Sequence, residues 1–230
     1  MKYPTRINKY LRDKGLASRR EADALIEEGK VFVNGRRAKT GMLISAEDKV
    51  VVRGEKKAYQ YFAYYKPRGL ATQSQKEFQS VIEDFKKSGL FPIGRLDKES
   101  EGLLILTNDG RVTSKILGRE EKFEKEYIAK VREKLRGGIP AIFEKGMTTK
   151  TFGKLLPAKS RLLNDHTLSV VLREGKRHQI RVMLGELDYT VTDLKRVRIG
   201  NIRLGKLKPG ETRPLDKKEL NSLFMGVGVN

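Results

Sequence analysis

Six consecutive residues, Gly102-Leu103-Leu104-Ile105-Leu106-Thr107, carry no charge, and Asn108-Asp109-Gly110 closes the run. A short apolar stretch with no polar face reads as a strand covered on both sides and ending in a tight turn. Such a strand needs neighbours, and the sequence offers them. Tyr61-Phe62-Ala63-Tyr64-Tyr65 is aromatic and strand-like, with a turn at Lys66-Pro67-Arg68-Gly69. Lys125–Val131 and Thr167–Leu172 read the same way. Over residues 176–187 the period changes: Ile180, Met183, Leu184 and Leu187 fall at i, i+3, i+4 and i+7, an amphipathic helix against a sheet. Strands interleaved with few helices predict an α+β domain on a largely antiparallel mixed sheet flanked by helices.

The first fifty residues have a different texture. Thr5 is placed to cap a helix over about residues 6–14, with Ile7, Tyr10 and Leu11 on one side and Arg6, Lys9 and Arg12 as a basic strip. Gly15 is a stop. Ser18-Arg19-Arg20-Glu21 is a capping box, in which Ser18 bonds the third backbone N–H and Glu21 reaches back. The helix it opens carries Ala22, Leu25 and Ile26 and ends at Gly29. Val31-Phe32-Val33 then meets Asn34-Gly35, a hairpin signal because a type I′ turn needs positive φ at both central positions. Lys49–Val52 is a further strand. Residues 1–52 therefore form a small helical and hairpin domain, 53–60 (with Arg53-Gly54-Glu55-Lys56-Lys57-Ala58) a linker, and 61–230 a larger domain.

Charge narrows the partner. Lys and Arg total 49 against 29 acidic residues, a net of +20 over 230 residues. That much self-repulsion points to a polyanion, usually RNA or DNA. The absence of cysteine excludes a disulfide scaffold, an iron–sulfur cluster, a Cys zinc site and a thiol nucleophile. Two histidines, His166 and His178, leave no multi-His metal centre. No apolar run approaches the ~20 residues of a membrane span, and the N-terminus lacks the apolar region of a secretory signal, so a cytoplasmic location is expected; the chain is also expected to be a monomer.

The chemistry lies in Phe91–Leu104. There Asp97 sits between a glycine-containing loop and the buried strand, with Arg95 two residues before it. From these residues alone two readings stand: a reactive carboxylate on a rigid loop, or a surface cluster in which Asp97, Glu99 and Glu101 alternate with Arg95 and Lys98.

Two resemblances bear on that choice. RINKYLRDKGLASRREADALIEEGKVFVNG resembles the RNA-binding module named after small ribosomal subunit protein four, over roughly residues 5–52. It implies that Arg6, Lys9, Arg19, Arg20, Lys30 and Arg36 face structured RNA. GRLDKESEGLLILTNDG is similar to the signature of the RNA pseudouridine synthases, in the RsuA-type branch that carries this module at its N-terminus. Three further stretches agree in order: Lys66-Pro67-Arg68-Gly69 with its first motif, Glu124-Lys125-Glu126-Tyr127 with the stretch bearing the active-site aromatic, and Arg173-Glu174-Gly175-Lys176-Arg177-His178-Gln179-Ile180-Arg181 with its third.

The resemblance implies that uridine in RNA is isomerised to pseudouridine: the base is detached from its glycosidic nitrogen, turned and rejoined through carbon 5. Asp97 matches the essential aspartate, acting at carbon 1′, at the ring or by a glycal route. Arg95 matches the arginine that holds the flipped nucleotide, Tyr127 the aromatic that stacks on the base, and Arg181 the basic residue paired with the aspartate. Ile180 would form an apolar wall of the uracil pocket, Lys66 a substrate-binding group of the first motif, and His178 a structural residue of the third. No metal and no organic cofactor is needed, because the isomerisation is redox-neutral. The substrate implied is ribosomal RNA, 23S favoured in the manner of the RluF-like subgroup, with 16S or a secondary tRNA substrate as other outcomes. Ser100 stands where Thr is usual, and Arg181-Val182-Met183 replaces Arg-Arg-Met.

Three other functions are less compatible with the sequence. A non-enzymatic RNA-binding ribosome-assembly or stress protein has no need of the GRLD loop. A glycosidase using Asp97 with Glu99 or Glu101 would want a Trp-rich sugar cleft, and the chain has no Trp. A DNA-binding protein would show a helix-turn-helix or zinc signature, and neither is present.

Overall fold

The computed structural model describes residues 1–54, 58–73, 79–112 and 123–224. They fall into two compact units. The first holds the described residues of Met1–Gln60 together with Asp109–Val112 and Phe224; the second holds those of Tyr61–Asn108 and of 123–223.

The first unit runs β1 (Thr5–Arg6), α1 (Ile7–Asp13), α2 (Arg19–Glu27), β2 (Val31–Val33), β3 (Arg36–Arg37), β4 (Leu43–Ile44) and β5 (Val50–Val52). Its core is Ile7, Leu11, Ala22, Ile26, Val31 and Ile44, the apolar sides of both helices closed over the small sheet. The capping box forms in full, with Ser18 accepting from the Glu21 N–H and Glu21 accepting from the Ser18 N–H. Asn34 and Gly35 have φ of 50° and 82° and join Val33 to Arg36 as a two-residue hairpin. Thr5 does not cap α1. Its backbone is taken into β1 opposite Ile44, its buried hydroxyl has no partner among the described residues, and Arg6 holds the N-cap with no side-chain cap bond among them.

Asp109–Val112, which the sequence reading places in the larger domain, packs within the first unit. The Arg111 guanidinium donates to both carboxylate oxygens of Asp109 at 2.8 Å and to the Gly15 carbonyl at 3.3 Å. It also lies 3.9 Å from the centre of the Tyr59 ring. A Cβ at Gly110 would stand 2.7 Å from the Ser18 Cβ, so glycine is what lets the segment approach α2. Asp109 and Val112 have no exposed surface.

The second unit is built on a nine-stranded sheet. Its strands are β6 (Tyr61–Lys66), β7 (Phe91–Ile93), β8 (Glu101–Thr107), β9 (Lys125–Val131), β12 (Lys159–Asn164), β13 (Thr167–Leu172), β14 (Val191–Ile199), β15 (Ile202–Arg203) and β16 (Thr212–Pro214). The order is β12-β13-β9-β14-β8-β6-β16, with β7 on β8 and β15 on β14. Every pairing is antiparallel except β14 with β8. A separate hairpin joins β10 (Thr148–Thr149) to β11 (Gly153–Lys154). The apolar run is β8, buried from Gly102 to Thr107. On one side of the sheet, α4 (Ile139–Glu144) and α5 (Gln179–Gly185) bury Phe143, Ile180, Met183 and Leu184 against β9, β13 and β14. Beside α3 (Val81–Asp84), Val81 and Leu90 pack with Tyr64, Leu104 and Leu106. Near the C-terminal end of the described residues lies α6 (Lys217–Phe224). No helix among the described residues is long and apolar enough to cross a membrane.

Candidate active site

Antiparallel pairing of β7 with β8 makes a hairpin whose loop, residues 94–100, carries Asp97 near its middle. Gly94 opens the loop at φ 77°, and a turn closes when the Ser100 N–H donates to the Asp97 carbonyl at 3.0 Å. The residues around Asp97 are held by their main chain. The Arg95 carbonyl accepts from Arg196 Nη1 at 3.2 Å. Leu96 is bound at both its N–H and its carbonyl by the buried Thr72 hydroxyl. The Lys98 carbonyl accepts from the Gly69 N–H at 2.8 Å and from Lys66 Nζ at 3.4 Å. The Glu99 carbonyl accepts from Arg181 Nη2 at 3.0 Å. Arg68 adds a strap, donating to the Thr192 carbonyl at 3.0 Å and reaching Glu99 at 3.5 Å. A carboxylate is thus presented on a loop with little freedom left to lose, as a preorganised site requires.

The structure brings Asp97, Arg95, Ile180 and Arg181 to this loop and the start of α5. Arg95 is exposed, Ile180 is buried beneath the site, and Tyr127 is half-buried on β9, packed against the same apolar cluster as Ile180. The expected pairing of Arg181 with Asp97 is not formed. Arg181 spans two main-chain carbonyls, Val191 at 2.9 Å and Glu99 at 3.0 Å, and so braces the loop. The cation-capable group beside Asp97 is His178, its Nε2 3.4 Å from Oδ1. His178 sits at φ 56° as the N-cap of α5, a conformation a non-glycine residue rarely adopts, and this directs its ring to the carboxylate. Its left-handed backbone has no signature in the sequence.

Lys66 also departs from expectation. Its side chain is fully buried and its ammonium donates to the carbonyls of Pro67, Leu70 and Lys98, so in this structure it supports the loop. Burial pushes its pKa down to about 8. The Arg196 charge pushes the same way, and Asp97, Glu99 and Glu101 oppose it. Below pH 8 folded and unfolded chains both hold the proton, so this group gives stability no pH slope. Between about 8 and the ordinary 10.5 the unfolded chain keeps a proton the folded chain has shed, so the contribution of Lys66 to unfolding free energy rises with pH. Relative to Lys66→Met, the wild-type denaturant midpoint is expected to climb across that window, by up to about 3 kcal/mol in free energy. Parallel curves would contradict the burial account.

Glu101 is tied up differently. Burial raises its pKa, but hydrogen bonds from Lys195 (2.9 Å) and the Tyr65 hydroxyl (2.8 Å) outweigh that and hold it below the usual carboxylate range. It is ionised and engaged, unsuited to donate a proton alongside Asp97, which removes the main support for a glycosidase pair. Glu99 is turned toward Arg68 at the surface. Glu126, one residue before Tyr127, is held low by Arg198 at 2.9 Å and by the Ser169 hydroxyl. The Ser100 hydroxyl is buried with no partner among the described residues.

In the first unit Arg6, Lys9, Arg19, Arg20, Lys30 and Arg36 are all exposed. Lys30 is paired with Glu28 at 2.6 Å.

A model of the RNA pseudouridylate synthase family matches residues 60–186, and one of the S4 domain matches residues 5–50. The chain is 38% identical over 236 residues to the dual-specificity RNA pseudouridine synthase RluF of Salmonella typhi, covering 96% of this chain and 78% of that protein. It is 36% identical over 210 residues to ribosomal large subunit pseudouridine synthase B of Bacillus subtilis (strain 168), covering 83% and 84%. A solved structure described as the crystal structure of pseudouridylate synthase superposes with a TM-score of 0.71 at 28% identity, covering 95% of this chain and 99% of that one.

Proposed function

This chain belongs to the RNA pseudouridylate synthase family, and from that premise we propose that it isomerises a specific uridine of ribosomal RNA, with Asp97 as the essential carboxylate. The observation that carries the reading is the loop around Asp97, where the main chain of residues 95, 96, 98 and 99 is pinned and one carboxylate is left to act. In the reaction the N1–C1′ bond breaks and a C5–C1′ bond forms, N1 gains a proton and C5 loses one. Every route to that product asks for an ionised carboxylate at the junction of sugar and base. The target must first leave its stack, which costs a few kcal/mol. Exposed Arg95 is suited to hold the displaced nucleotide, Tyr127 to stack on its base, and Ile180 to line the pocket.

Large-subunit RNA is the favoured substrate, supported by the likeness to synthase B of Bacillus subtilis; small-subunit RNA and tRNA rank behind it. The enzyme works as a monomer in the cytoplasm. Incubation with unmodified 23S rRNA, 16S rRNA and tRNA, followed by mapping of pseudouridine, tests the substrate. A single new pseudouridine in 23S rRNA is expected, and modification confined to tRNA would overturn the assignment.

The S4-like unit supplies phosphate contacts. Changing Arg6, Arg19 and Arg20 together to Gln is expected to weaken rRNA binding. The dependence of log K on log salt should flatten by roughly 0.7–0.9 for each phosphate no longer neutralised. The rate at saturating RNA should not change. An unaltered salt slope would take these residues out of the interface.

A further inference from the structure

We propose that Arg196 is a positioning residue of the reaction: it fixes the Asp97 loop against the strand that carries Tyr127. The proposal rests on the reading of Asp97 given above and adds a residue that none of the sequence motifs contains.

Arg196 lies in β14 between the two elements that matter. In register it faces Tyr127 of β9 on one side and Gly102 of β8 on the other. Its side chain is 4% exposed. Nε donates to the Leu103 carbonyl at 2.7 Å and Nη1 to the Arg95 carbonyl at 3.2 Å. The first bond seats the guanidinium on the strand that leaves the loop, and the second holds the loop two residues before Asp97.

A buried guanidinium is an expensive way to brace a loop, since desolvating a cation is unfavourable unless its donors are satisfied. Here the bonds named are to neutral carbonyls. The Lys66 ammonium is near enough for the Arg196 charge to depress its pKa. Two buried cations therefore lie below a loop whose acidic groups include Asp97. An apolar side chain could fill the volume, but it could not hold the Arg95 carbonyl. The arrangement fits a demand for geometry: Arg95 and Asp97 come from the β7–β8 hairpin and Tyr127 from β9 across β14, and a substrate base must meet both at once. A misplacement of about 1 Å at such a site can cost roughly a hundredfold in rate.

The test compares wild type, Arg196→Lys, Arg196→Met and Asp97→Asn in single-turnover pseudouridine formation on unmodified rRNA, with melting midpoints recorded. For folded Arg196→Met the expected result is a rate constant lowered about a hundredfold, while half-saturating RNA shifts by less than about threefold. Arg196→Lys, which keeps the charge and can hold one carbonyl, should recover part of the loss. A merely structural role would lower the melting midpoint and the amount of active protein without changing the rate constant of the folded fraction. A rate constant within about twofold of wild type in folded Arg196→Met would overturn the proposal. If Met is not tolerated, the Lys variant decides: a wild-type rate constant overturns the proposal and a lowered one supports it. An inactive Asp97→Asn beside a fully active Arg196→Met would sink the role of Arg196 alone, whereas an active Asp97→Asn would sink both.

Discussion

Asp97→Asn is expected to lower the rate of pseudouridine formation by at least about ten-thousandfold, while rRNA affinity stays within about threefold of wild type. Asn has nearly the same shape, and the hydrogen bonds that shape the loop use main-chain atoms of Arg95, Leu96, Asp97, Lys98 and Glu99, which the substitution leaves in place. The Asp97 side chain meets His178, and an amide can still occupy that place. What disappears is the anionic oxygen. A neutral amide is a poor nucleophile and a poor stabiliser of positive charge at an electrophilic sugar carbon, so the loss belongs to the chemical step. In the proposed reading, binding is carried by phosphate contacts spread over a strongly basic chain, and removing one negative charge should not weaken them. Single-turnover assays with parallel filter-binding measurements separate the two quantities. A variant that retains a tenth of the wild-type rate would mean that another group does the work.

The second large effect is on stability. Gly102 begins the buried part of β8 at φ 109°, and a Cβ built there would lie 2.3 Å from the Arg196 carbonyl oxygen and 2.8 Å from its nitrogen. The clash is with backbone, at one of the two residue pairs where β14 and β8 run parallel, so no side chain can rotate away. The backbone conformation alone costs a non-glycine residue about 1–3 kcal/mol, and forced displacement in a packed core a further 1–3 or so. Against a total stability of about 5–15 kcal/mol, Gly102→Ala should lower the melting midpoint by many degrees or leave little folded protein. What folds should also be slow, since the strand that would have to move carries Arg196. A melting midpoint within a degree or two of wild type would show that the sheet yields here more easily than the geometry allows.

The two regions differ in how far their sequence discloses them, and the reason is distance along the chain. The capping box of Ser18 and Glu21, the Asn34-Gly35 hairpin and the apolar strand at Leu103–Leu106 are legible because each is decided within a few residues. Thr5 misled because a helix cap and a strand pair compete for the same residue, and the partner, Ile44, is remote. Arg196 and its two carbonyls are separated by 93 and 101 residues, and Arg111 and the Gly15 carbonyl by 96. Nothing local distinguishes these arginines in a chain with 49 basic residues. A motif singles out Asp97, but the contacts around it in the structure were not legible. Burial turned Lys66 from a binding group into a support, and two backbone carbonyls claimed Arg181, leaving His178 beside the carboxylate.

Release of tritium from rRNA labelled at carbon 5 of uridine tests the central claim most directly, because the carbon 5 hydrogen leaves only if the base is rejoined through that carbon. The account predicts that wild-type protein without added metal or cofactor releases tritium to the extent of one uridine per molecule of its substrate rRNA and then stops. Tight rRNA binding with no tritium released from 23S rRNA, 16S rRNA or tRNA would contradict it and leave a binding protein built on a synthase fold.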